Sequence, residues 1–241
     1  MNQPAIIIIQ TGTPPQEIRE QYGDLADWFS AAIGYSRSEI EVVRVFEGEI
    51  LPPPNPQRVA IITGSWAMVT DKLPWSEATA LWLRKAMEIN MPLFGVCYGH
   101  QLMSYALGGE VDYLPCIRET GCLPVRLTAE AENEPLLAGY PQVFPAHLTH
   151  MQSVVKVPEG ATVLASSEID PHQVVRYGPN AISTQYHPEF TPLASKAMIE
   201  RNREIFSGEG RDTDAMLEQS TDTPEATALL KRFIEQHLPR A

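Results

Sequence analysis

Short apolar, β-prone runs alternate with segments of helical period through the first hundred residues, and that alternation marks βαβ units wound around a parallel sheet. Ala5 to Ile9 is predicted as a first strand, an apolar run followed by a polar Gln10-Thr11-Gly12. Ile18 to Ile33 carries Ile18, Tyr22, Leu25, Trp28, Phe29 and Ile33 at helical spacing, and Pro14-Pro15 ahead of it suits a helix start. Val42 to Phe46 and Val59 to Thr63 read as strands. Between them the prolines of Leu51-Pro52-Pro53-Pro54-Asn55-Pro56 cannot sit in a ladder and mark a rigid surface connection. A helix over Trp75 to Ile89, a buried strand over Pro92 to Val96 and a helix over Tyr98 to Leu107, stopped by Gly108-Gly109, continue the pattern.

From Glu110 to Gln185 turn signals come closer together and short β-prone runs dominate, at Cys122 to Leu127, Thr162 to Ala165, Gln173 to Tyr177 and Ala181 to Tyr186. The tail reads as a helix over Ala194 to Phe206, a polar loop over Ser207 to Thr213 that includes Gly208-Glu209-Gly210, and an amphipathic helix over Pro224 to Leu238. The expected fold class is therefore α/β: a doubly wound, mostly parallel sheet flanked by helices, with a smaller antiparallel β extension. With 241 residues, 44% of them apolar, a single domain over 1–241 is expected, its core at about 5–190 and a helical tail at 191–241.

Eighteen Lys and Arg against thirty Asp and Glu give a formal charge of -12, which repels phosphate backbones and anionic headgroups. Neither nucleic acid nor a membrane surface is an expected partner. No basic region precedes the first apolar run and no stretch approaches the roughly 18 to 20 apolar residues of a membrane span. Three cysteines, Cys97, Cys116 and Cys122, without a secretory signal point to free thiols and a cytoplasmic address.

The most informative stretch is Gly95-Val96-Cys97-Tyr98-Gly99, a G-x-C-x-G between an apolar strand and a helix, the context of a nucleophile elbow. Small residues on either side allow a sharp turn that projects the thiol, and the following helix N-terminus favours the thiolate. Ninety residues on, Gln185-Tyr186-His187-Pro188-Glu189-Phe190 follows another β-prone run. Residues i and i+2 of an extended segment share a face, so Glu189 can hold one imidazole nitrogen of His187 while the other faces Cys97. An oxyanion site would take the backbone N–H of Tyr98 and a donor from the Gly-containing turn Thr63-Gly64-Ser65-Trp66.

These runs, with Gln101-Leu102 and Ala106-Leu107-Gly108-Gly109, resemble the class I glutamine amidotransferases, and among them free-standing proteins related to the glutaminase domain of GMP synthase. The resemblance covers roughly residues 5 to 190 and implies a flavodoxin-like fold. It further implies a γ-glutamyl thioester on Cys97, a triad completed by His187 and Glu189, an oxyanion hole shaped by Tyr98 with Ser65 or Gly64, and a glutamyl contact from Gln101. His150-Met151-Gln152-Ser153-Val154 matches the family's substrate-bordering strand, which makes Gln152 and Ser153 candidate substrate contacts; Gln152 stands where an acidic residue is often found. The substrate would be glutamine or another γ-glutamyl compound, with no cofactor and no metal. The chain shows no ATP pyrophosphatase motif, so an ammonia-accepting synthetase is expected as a separate partner.

Other residues carry plainer readings. Cys116 and Cys122 lack zinc-site spacing and read as structural thiols. His100 is expected to pack near the elbow rather than act as a second base, His147 and His150 to fall on opposite faces of a strand, and His172 and His237 to be solvated. Trp66, Trp75 and Trp82 are more in keeping with packing than with recognition. Two rival functions stand beside the first: a γ-glutamyl peptide hydrolase that transfers no ammonia, and a non-enzymatic cysteine sensor on a similar fold, against which His187 and Glu189 count.

Overall fold

The computed structural model describes residues 4–116 and 118–238. In chain order the strands are β1 (Ile6–Gln10), β2 (Ile40–Arg44), β3 (Val59–Ile62), β4 (Leu93–Val96), β5 (Glu110–Tyr113), β6 (Glu119–Leu127), β7 (Val143–His150), β8 (Gln152–Lys156), β9 (Thr162–Ser166), β10 (Val174–Gly178) and β11 (Ala181–Thr184). The helices are α1 (Gln16–Tyr22), α2 (Leu25–Ile33), α3 (Pro74–Glu88), α4 (Tyr98–Ala106), α5 (Pro192–Arg201), α6 (Arg203–Gly208), α7 (Thr213–Gln219) and α8 (Pro224–His237).

One sheet runs β2-β1-β3-β4-β11-β10-β9-β6-β7, and β5 pairs with β8 in a second, two-stranded sheet. The first five strands of that order are parallel, and from β11 onward each pairing is antiparallel. The doubly wound parallel sheet with an antiparallel extension is thus the fold found. It also explains the composition of β1: a central strand covered on both faces has no polar side, and Ile6, Ile7, Ile8 and Ile9 are all fully buried. Ile6 and Ile8 face a core shared with α2 and α8, whereas Ile7 and Ile9 face one shared with α3 and α4. Burial of each isoleucine contributes about 1.5–3 kcal/mol. A third apolar cluster joins Ile18, Leu25, Trp28, Phe190 and Met198, clamping α1, α2 and α5 beside the ends of the parallel strands.

Several boundaries differ from expectation for local reasons. The helix expected over Ile18 to Ile33 is two: Gly23 stops α1 at φ 84, and Asp24 caps α2 in a reciprocal box with Asp27. Strand β2 ends at Arg44 rather than at Phe46, because Val45–Glu47 turns into a 3-10 segment. Ala181 to Tyr186 lies at the junction of the two halves, parallel to β4 and antiparallel to β10, and not wholly in the antiparallel part. Strand β7 contains Pro145, which argues against a central strand, yet β7 is the sheet edge and faces Pro124 of β6 in register. The tail helix breaks at Asn202 into α5 and α6, and α7, capped by Asp212, was not anticipated.

Candidate active site

Cys97 sits between β4 and α4 with φ 51 and ψ -103, a conformation that costs a non-glycine residue about 1–3 kcal/mol. The surroundings over-determine it. The Cys97 N–H donates to the Thr184 carbonyl at 2.8 Å, and the Gly99 N–H to the Thr63 carbonyl at 3.1 Å. Both flanking glycines are required by close approach: a Cβ on Gly95 would lie 2.6 Å from the Gly99 carbonyl oxygen and Met103 Sδ, and one on Gly99 would overlap the Ile62 carbonyl. The elbow is therefore pressed against β3 with no room for side chains, and its thiol stands at the N-terminus of α4.

His187 and Glu189 follow β11 and reach the same place. The imidazole Nδ1 donates to Glu189 Oε1 at 2.8 Å, with both side chains buried. Phe190 stacks on the imidazole at 4.1 Å between centroids and 23° between planes, and Trp28 meets Phe190 edge-on at 5.5 Å. His187 Nε2 completes no regular hydrogen bond and is turned toward Cys97. Burial by itself would lower the imidazole pKa, but Glu189 and then Cys97 outweigh it and raise it to about 10. A Cβ on Gly64 would lie 3.1 Å from His187 Cε1 and 3.6 Å from Cys97 Cβ, so the glycine turn lies against both groups.

That turn is held in one orientation. The Gly64 carbonyl accepts from Thr11 Oγ1 and Thr63 Oγ1, both at 2.9 Å, and Ser65 Oγ donates to the Thr11 carbonyl at 2.7 Å. In a trans peptide C=O and N–H point in opposite directions, so the Ser65 N–H is aimed away from the threonines and toward the cavity. Tyr98 supplies the first N–H of α4, one that helix geometry leaves without an intrahelical carbonyl. Its side chain is spent elsewhere, its hydroxyl 2.6 Å from Ser76 Oγ and its ring against Trp75.

One cavity is lined by Gly64, Ser65, Cys97, Tyr98, Gln101 and His187, and it extends to residues of the tail, including Met198, Arg201 and Asn202. The family model of glutamine amidotransferase class-I matches residues 31–205. This chain belongs to that family. A glutamine amidotransferase-like protein of Schizosaccharomyces pombe is 28% identical over 223 residues, 86% of this chain and 88% of that protein. A glutamine-hydrolysing GMP synthase of Thermosipho africanus is 35% identical over 106 residues, 44% of this chain but only 20% of the synthase. The solved glutamine amidotransferase of Thermotoga maritima superposes with a TM-score of 0.77 at 19% identity, over 99% of this chain and 100% of that one, a likeness of fold.

Among the remaining candidates of this class I amidotransferase, Gln101 and Gln152 line the cavity and Ser153 does not. Gln152 spends its side chain on the 69–70 turn, its Oε1 accepting from the Val69 N–H at 3.1 Å and its Nε2 donating to Thr70 Oγ1 at 2.6 Å. An amide offers both a donor and an acceptor to that turn; a carboxylate would not. His100 is fully buried with Nδ1 2.7 Å from Ser183 Oγ, and burial lowers its pKa to about 3, so it packs as a neutral ring. His172 and His237 are half-buried rather than solvated. Trp82 bonds the Pro52 carbonyl, whereas Trp66 is 46% exposed at the cavity. Cys116 is exposed and Cys122 half-buried, and both thiols are free.

The structure adds residues to which sequence reading gave no role. Phe190 fixes the imidazole plane, and Thr11 orients the Gly64–Ser65 peptide from 53 residues away. Phe190 stood within the quoted His-Pro-Glu run, a signal available but unused; no local pattern reveals Thr11. Among the described residues no helix is long and apolar enough to cross a membrane.

Proposed function

We propose that this chain hydrolyses a γ-glutamyl amide through a thioester on Cys97, with glutamine as the first substrate. The observation that carries the reading is the meeting, in one cavity, of a positive-φ elbow cysteine with His187, whose buried imidazole is bonded to Glu189 at 2.8 Å. The Cys97 sulfur attacks the amide carbonyl carbon, and the N–H groups of Ser65 and Tyr98 hold the developing oxyanion. His187 gives its Nε2 proton to the leaving nitrogen, and ammonia departs as the thioester forms. Water, giving a proton to His187, then attacks the thioester and releases glutamate and the Cys97 sulfur. Glu189 keeps the imidazole oriented and supports its charge without exchanging protons. An ammonia-accepting synthetase would take up the product, as the GMP synthase relative extends well beyond the matching segment, which is one fifth of its length.

A second reading shares every step except the leaving group. The cavity runs past Cys97 to Arg118, Met198, Arg201 and Asn202, which offers apolar and polar surface to a γ-glutamyl peptide, with Arg118 paired to Glu209 at 2.9 Å and Arg201 to Glu17 at 2.6 Å. Steady-state kinetics on glutamine, glutathione and γ-glutamyl dipeptides separates the two. A kcat/KM at least about tenfold higher on a peptide favours the peptidase. Stimulation of glutamine turnover by a co-purifying protein favours the amidotransferase. Absence of turnover on all of them contradicts both.

A further inference from the structure

Gln101 is held in the cavity wall by a buried relay that ends two shells away. Its Nε2 donates to the Gln152 carbonyl at 2.7 Å and to Gln185 Oε1 at 2.9 Å, so both N–H groups are spent and Oε1 is the atom left to meet a ligand. The same Gln152 carbonyl lies 2.8 Å from His150 Nδ1. A carbonyl only accepts, so Nδ1 carries hydrogen. On the other side of the ring, Nε2 lies 2.9 Å from Glu119 Oε2, which also accepts from Gln173 Nε2 at 2.9 Å. The His150 and Glu119 side chains are each 1% exposed, so neither is solvated by water in place of the other.

We propose that Glu119 and His150 are positioning residues for the glutamyl group: Glu119 fixes the imidazole through Nε2, and the His150 Nδ1–H locks the Gln152 carbonyl that anchors the Gln101 amide. The inference rests on the reading of Gln101 as a glutamyl contact. The buried pair is stable because each partner satisfies the other, and removal of either leaves the other without its hydrogen bond. Asp170, fully buried, approaches the same pair, and one ligand atom from each of Glu119, His150 and Asp170 lies within 4.8 Å of the others. That spacing would also admit a cation in place of the shared proton, so the test must separate the two.

The first measurement is the imidazole nitrogen shifts of 15N-histidine-labelled protein, with His150 assigned from the His150→Asn variant. Hydrogen on His150 Nδ1 supports the relay; a ring with a bare Nδ1 overturns it, whatever the substrate proves to be. The second is kinetic. His150→Ala is expected to raise KM for glutamine about tenfold with kcat within about threefold, and His150→Asn, whose amide can still donate to Gln152, to recover most of that loss. Glu119→Gln should fall between them. The effects of His150→Ala and Gln101→Ala should be strongly non-additive, because one contact is lost twice. Additive effects in an active protein, or Asn no better than Ala, contradict the relay. A loss of activity on chelation that zinc restores would replace the proton by a metal ion and overturn it too. Failure of the wild type to acylate Cys97 at all would instead count against the proposed function.

Discussion

Glu189 accepts a 2.8 Å hydrogen bond from His187 across a single proline, and the two side chains lie buried against the elbow cysteine 90 positions earlier in the chain. Extended backbone places residues i and i+2 on one face, so the short His-Pro-Glu run is enough to build the pair. Phe190, next in sequence, covers the ring.

The first expected consequence is a pH dependence of stability. His187 has its pKa raised to about 10 from an ordinary 6.5, with burial opposing and Glu189 and Cys97 overcoming it. A raised imidazole stabilises the fold fully below the unfolded value of about 6.5 and ceases to do so as pH climbs through about 10. Denaturant unfolding across that window should therefore show stability falling with pH in the wild type, with a shallower fall in Glu189→Gln. Equal slopes would mean that Glu189 does not hold the proton on His187.

A second expectation concerns the elbow glycines. A Cβ on Gly99 meets backbone at Ile62, which cannot move without disturbing β3, so Gly99→Ala should cost about 2–4 kcal/mol in urea unfolding. Gly208, at the last position of α6 with open space around it, is the control: Gly208→Ala should change stability by less than about 1 kcal/mol. Similar losses at both positions would contradict the close-approach account.

Thr11 provides a third. Together with Thr63 it holds the Gly64 carbonyl away from the cavity, so Thr11→Val combined with Thr63→Val should free the peptide to rotate and misplace the Ser65 N–H. The expected loss is about 10- to 100-fold in kcat with KM little changed, as for an oxyanion donor. An unchanged kcat would remove Ser65 from that role.

How much of this was legible depended on how local each signal is. The nucleophile elbow and the His187-Pro188-Glu189 pair are short motifs whose geometry follows from a strand end, so they could be read from the letters. The choice between Gly64 and Ser65 could not, because it rests on a peptide orientation set by Thr11. Ser153 was expected at the substrate border, yet its alternation with Gln152 in β8 sends the two side chains to opposite faces and leaves it outside the cavity. The tail followed the same logic: its helical character was evident, but that Met198, Arg201 and Asn202 reach the cavity depends on how α5 packs against α1 and α7.

The central claim is that Cys97 alone among the three thiols forms the acyl bond. Intact-mass analysis after exposure to glutamine, γ-glutamyl substrates or an alkylating glutamine analogue tests it most directly, in the wild type, Cys97→Ala, and Cys116→Ser with Cys122→Ser. One glutamyl or analogue mass should appear on the wild type and on the Cys116→Ser, Cys122→Ser protein, and none on Cys97→Ala, which should also lose hydrolysis. An adduct or full activity that survives in Cys97→Ala would contradict the account.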